Sequence, residues 1–186
     1  MKRRTFDILM AAGGLFLAAT LIFAGGLLTW AHTFIGNEVH TQLAAQQIFF
    51  PPANSKAVAA PEFAAMRPYG GQQLTTGAQA QVYADHFIAN HLKEIGGGKT
   101  YSQLSAESLA HPLNLKLKAQ VDTLFKGTTL RGLLLNAYAF WQIGQIALYA
   151  AIAAFAGGVV FLALSVFGFL PMRRTPADTD LQAAGV

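Results

Sequence analysis

Five histidines hold most of the chemical potential in this sequence. His32, His40, His86, His91 and His111 could each offer a neutral imidazole to zinc or copper, with Asp85, Glu38 or Glu94 supplying a carboxylate. His86, His91 and Asp85 form the densest group. Paired ligands on a helix need i, i+3 or i, i+4 spacing, as in H-E-x-x-H, whereas His86 and His91 are five apart. The spacing favours a structural role, since half-buried imidazoles are common without a ligand. No cofactor is expected.

Asp85 and His86 with Ser102 or Ser105 contain the residue types of a hydrolytic triad. No G-x-S-x-G elbow is present, and adjacent helical residues diverge by about 100°. The residues therefore argue against an enzyme without excluding one. The run from Gly96 to Thr100, GGGKT, shares composition with a phosphate loop but lacks the G-x-x-x-x-G-K-[ST] pattern. A helix stop followed by a helix cap explains it, with Lys99 as a solvated charge. Asn136, Gln142 and Gln145 could line a polar path through an oligomer. Neither apolar stretch carries a central ionisable residue, so interhelical or headgroup hydrogen bonding is the expected role.

The elements that must position these residues follow from charge. Only 12% of the chain is charged, against about 25% in soluble domains, and residues 8–31 and 133–170 contain no charged side chain. Each stretch exceeds the roughly 20 residues that a helix needs to cross a bilayer. The second would make about 57 Å of helix at 1.5 Å per residue, so its first turns should stand in or above the headgroups. A cleaved signal peptide is the rival reading of the first. That stretch outruns the ~7–15 apolar residues of a signal and no A-x-A site follows closely, which favours a retained anchor.

Lys2, Arg3 and Arg4 precede the first span and Arg173 and Arg174 follow the second, so both termini should be cytoplasmic. Arg131 opposes this weakly. The expected order is a cytoplasmic N-terminus (1–7), a first span (8–31), an extracytoplasmic helical domain (32–132), a long helix containing the second span (133–170) and a disordered cytoplasmic tail (171–186). Net charge is +4, and 32–132 carries eight basic against six acidic side chains, with no basic stripe interleaved by aromatics. Nucleic acid is thus excluded as a partner. The absence of cysteine excludes disulfides, thiol catalysis and thiolate metal sites.

Both spans carry small residues at steps of three, four or seven: Ala11, Gly14, Ala18 and Gly25 in the first, and Ala147, Ala151, Ala154, Gly158, Ser165 and Gly168 in the second, with a break at Phe161. Such seams let backbones approach in lipid. The simplest partner for each is the other span, and a second copy of the chain is the alternative. Trp30, Tyr138, Trp141 and Tyr149 mark an outer interface, where Gln142 and Gln145 also fall.

Between the spans, the first helix should continue to Ile48 before Pro51 and Pro52, and 53–71 should be loop. An apolar stripe predicts a helix over 77–95 stopped by Gly96 to Gly98. Thr100 and Gln103 predict a capping box and a helix to Ala110. Pro112 should sit in the first turn of a further helix, striped by Leu113, Leu117, Val121, Leu124 and Phe125, paired through Asp122 and Lys126 and closed by Gly127. The fold class is therefore an all-α membrane protein, a two-helix transmembrane hairpin with a small helical extracytoplasmic domain.

The stretches AGGLFLAATLIFAGGLLTWAHTFIGNEVHTQLAAQQI, QAQVYADHFIANHLKEIGGGKTY and TLFKGTTLRGLLLNAYAF resemble uncharacterised two-span membrane proteins of high-GC Gram-positive (actinobacterial) bacteria. That resemblance implies a bacterial plasma membrane and no established activity. The expected function is a non-enzymatic oligomeric or accessory scaffold subunit, contacting the lipid bilayer and either its own copies or another membrane protein. The alternatives are a metal-binding or hydrolytic protein built on His86, Asp85 and His91, and a membrane-anchored sensor that signals through a partner.

Overall fold

The computed structural model describes residues 3–169, so the charges at Lys2, Arg173 and Arg174 and the expected tail lie outside the described residues. Among the described residues the chain is helical, with a lone antiparallel bridge between Phe49 and Gln73 and no strand. The α-helices are α1 (Arg3–Ala45), α2 (Gly77–Val82), α3 (Ala89–Ile95), α4 (Tyr101–Ala110) and α5 (Leu115–Phe169). Two 3-10 segments, Lys56–Val58 and Pro61–Tyr69, stand before α2, and a π-helical stretch, Tyr83–Ile88, joins α2 to α3. The all-α class expected from the sequence holds. Two helices, over Thr5–Ala45 and Leu115–Gly168, are long and apolar enough to cross a membrane.

The chain forms two compact units, one from residues up to Thr33 together with those from Gln145 on, the other from Phe34–Gly144. In the first unit α1 and α5 run antiparallel, with Gly14 opposite Ser165, Ile22 opposite Gly158 and Gly25 opposite Phe155. Ala11, Ala18, Ala147, Ala151 and Ser165 are buried along this contact, and Phe161 is half-buried on the same row. The seam thus keeps its three-and-four rhythm through the phenylalanine. The outward faces are equally apolar: Phe16, Phe23 and Phe167 are 72%, 69% and 66% exposed.

The second unit holds two cores. The larger gathers Val39 and Leu43 of α1, Phe50, Val58, Phe63, Met66, Leu74, then Ala80, Ala84 and Ile88 at steps of four, and Leu134 of α5. The smaller joins Leu104, Leu117 and Leu124. The segment expected as loop over 53–71 instead winds into 3-10 turns that bury Val58, Phe63 and Met66. Arg67 clamps it, donating from Nε to the Val58 carbonyl at 3.2 Å and from Nη2 to the Ala59 carbonyl at 2.8 Å. Burying those side chains satisfies a core that a free loop would leave open.

Three local expectations need correction. α1 ends at Ala45, before Ile48, and Gln47 turns the chain with φ +51°. Pro112 precedes α5 instead of opening it, because Asn114 caps the helix by accepting from the Leu117 N–H at 3.0 Å; Leu113 is left 93% exposed, off the stripe. Gly127 does not end a helix. α5 runs through it, and a methyl there would meet Leu92 Cδ2 at 2.5 Å. Its glycine admits the neighbouring side chain, a packing role that leaves the i to i−4 ladder intact.

Candidate functional site

The turn around Gly96 shows how sequence places side chains here. Gly97 and Gly98 take φ of +58° and +81°, and their N–H groups return to the carbonyls of Glu94 and Lys93, closing the preceding helix. Thr100 then accepts from the Gln103 N–H while Gln103 Oε1 accepts from the Thr100 N–H at 2.9 Å. Stop and cap occupy five consecutive residues, as their order in the sequence predicts. Lys99 is not merely solvated: its ammonium reaches Glu107 at 2.6 Å, and that hydrogen bond and charge hold the Glu107 carboxyl below the usual range.

The three candidate metal ligands have other partners. His86 Nδ1 lies 3.1 Å from the Glu62 carbonyl oxygen, His91 Nδ1 lies 2.8 Å from the Phe87 carbonyl oxygen, and Asp85 binds the Arg131 guanidinium at 2.7 Å. Among the described residues no group of three or more His, Asp or Glu side chains is placed to hold a metal ion. His91 instead joins an aromatic row, its ring centroid 4.3 Å from Phe87 and 5.8 Å from Phe63. The row continues from Phe87 to Tyr83 at 4.8 Å and from Tyr83 to Phe50 at 5.3 Å. Burial pushes the Tyr83 phenol above its ordinary pKa.

In the sequence Arg131 carries only a topogenic charge, and the fold gives it a second role. Its Nε donates to the Ala84 carbonyl at 3.2 Å and its Nη2 to Asp85, both within the π-helical stretch. The widened turn also sends the Ala89 N–H to the Ala84 carbonyl, so that oxygen accepts twice. Widened turns of this kind are frequent at functional sites. The tie spans 46 residues of sequence, so no local pattern announces it.

The residues expected to pack the helices sit as follows. In the first unit Ala18, Gly25, Ala151 and Gly158 are buried, and Gly14 and Ala154 are half-buried. A methyl at Gly25 would meet Phe155 Cε1 at 2.9 Å, and one at Gly158 would meet Ile22 Cγ1 at 2.9 Å. Of the expected interface residues, Trp30 and Gln142 are exposed and Gln145 half-buried. Tyr138 and Trp141 are half-buried and stacked at 6.3 Å, and Trp141 lies against Gly77, the first residue of α2. Thr76 and Gln79 form a second capping box, which the T-x-x-Q pattern could have revealed. No protein-family model, curated protein or solved structure matches this chain.

Proposed function

We propose that this chain is a two-span integral protein of a bacterial plasma membrane, with both termini cytoplasmic. In this reading it serves as a non-enzymatic accessory or scaffold subunit, presenting the helical region between its spans outside the membrane. The observation that carries the membrane assignment is the exposure of the long helices. In the most apolar window of each, only 17% of residues are buried, whereas a soluble core helix of that hydropathy would be mostly buried. Rows of exposed Phe, Leu and Ile all round a helix pair are stable in lipid and costly in water.

The small-residue seams are consumed within the α1 and α5 pair, so a partner would engage other surfaces. Leu109, Leu113 and Leu115, 81%, 93% and 76% exposed around the α4 to α5 turn, support such a surface on the second unit. Alkaline phosphatase fused near Lys99 should be active and the same enzyme fused after Arg174 inactive. The reverse pattern would refute the orientation. Crosslinking in native membranes followed by mass measurement should give a discrete oligomer or heteromeric adduct, and a strictly monomeric, partnerless chain would count against the scaffold role.

A further inference from the structure

A cleft of about 470 Å³ opens between α3, the glycine turn after it, the first turn of α4 and the N-terminal third of α5. Its wall carries three cations, Lys93, Lys99 and Arg131, and no acidic side chain. Tyr101, Ser102 and Thr128 add hydroxyls that can donate to an anion. The lining comes from two stretches of sequence, 89–102 and 124–131, carried by three helices and the turn between α3 and α4, so their convergence is a product of the fold.

The state of each cation matters more than the count. Lys93 has no ionic partner among the described residues. Lys99 holds Glu107 through one exposed contact, with side chains 52% and 41% accessible, a pair that solvent screens and a ligand can share. Arg131 is fixed along one edge by the Ala84 carbonyl and Asp85, which uses Nε and Nη2 and leaves Nη1 for another acceptor. A guanidinium oriented in this way loses little further freedom on binding an oxyanion. Two lysines and a pre-oriented arginine spread over one concave wall match an anion with several oxygens and more than one charge.

We propose that this cleft binds a phosphate group, borne by a small soluble ester or by a lipid headgroup. The composition of GGGKT plays no part as a phosphate loop: its glycines turn the chain so that Lys93 and Lys99 flank one opening. Every lining residue belongs to the second unit, so the site does not depend on the membrane assignment.

The test uses the full chain in phosphatidylcholine nanodiscs and equilibrium dialysis with radiolabelled inorganic phosphate. Saturable binding is expected, weakened about three- to tenfold by Lys93→Gln and again by Lys99→Gln, as fits the loss of one solvent-exposed hydrogen bond each. Both lysines are on the surface, and unchanged thermal unfolding of the variants will separate lost binding from lost fold. Competition then identifies the source. Dihexanoyl phosphatidylglycerol displacing phosphate at much lower concentration than glycerol 3-phosphate assigns a lipid, and equal potency assigns a soluble ester. No saturable binding, or equal binding by the wild type and the Lys93→Gln, Lys99→Gln double variant, overturns the proposal.

Discussion

The contact between Gly77 and Trp141 makes a sharp test of how the second unit is held. A methyl at Gly77 would fall on Trp141 Cβ and Cγ, the stem of the side chain, which α5 holds in place. A rotamer change moves the indole but cannot move Cβ, so α2 itself must shift. Gly77→Ala should therefore cost about 1–3 kcal/mol of overpacking, reduced by up to ~1 kcal/mol because alanine favours a helix. From the middle of that range, about 2 kcal/mol, the net is about 1–2 kcal/mol, which corresponds to a fall in Tm of roughly 2–8 °C for a chain of this size. Trp141→Ala keeps the offending Cβ, so combining it with Gly77→Ala should not restore the stability of Trp141→Ala alone.

Gly25 provides the contrast. There the three atoms nearest the added methyl are ring atoms of Phe155, at 2.9–3.0 Å, and Phe155 is 39% exposed, so a rotamer change can carry the ring away. Gly25→Ala should cost under about 1 kcal/mol, and Phe155→Ala should abolish that cost. Thermal unfolding of both double-mutant cycles in nanodiscs reads the two coupling energies. Emission of Trp141 in a Trp30→Phe background, expected to shift red in Gly77→Ala, reports the local displacement. A Gly77→Ala protein as stable as wild type, or one rescued in full by Trp141→Ala, would refute the packing argument.

Two further perturbations follow from the same unit. Leu74 is fully buried within the larger core, its N–H donating to the Ile48 carbonyl, so Leu74→Ala should cost about 2–5 kcal/mol, read as a lower midpoint in chemical denaturation. Tyr83 has its pKa raised by burial, so its contribution is complete below the unfolded value near 10 and is lost as pH rises through the higher folded value. Tyr83→Phe should flatten the alkaline limb of stability above about pH 10 relative to wild type, and identical limbs would remove Tyr83 as the cause.

What was legible in the sequence was local or compositional. The charge-free stretches and the stop and cap around Gly96 to Gln103 depend on neighbours within a few residues, and the structure contains the corresponding helices and turn. Gly127 was misread because a glycine that ends a helix and one that admits a side chain are identical in sequence. Only Leu92, 35 residues earlier, tells them apart. The 3-10 turns over 56–69 escaped for a related reason: Phe63 and Met66 are buried by elements that no short window contains. The cationic cleft draws on positions 93, 99 and 131, and its charges look scattered until α5 is laid beside the glycine turn.

Arg131 shows how the two kinds of information change one another. As a sequence feature it is a single positive charge on the outer side of the second apolar stretch, a weak argument against the proposed orientation. In the fold it braces a π-helical turn, giving the Ala84 carbonyl its second donor beside the Ala89 N–H and neutralising Asp85 next to it. A charge engaged by the Ala84 carbonyl and by Asp85 has a structural reason to be there whichever way the spans run. Its weight against the orientation therefore falls, and the orientation rests on the basic flanks of the two apolar stretches. The same tie leaves one guanidinium nitrogen for the cleft, so a residue that first counted as an anomaly becomes the point where the π-helical turn and the proposed phosphate site meet.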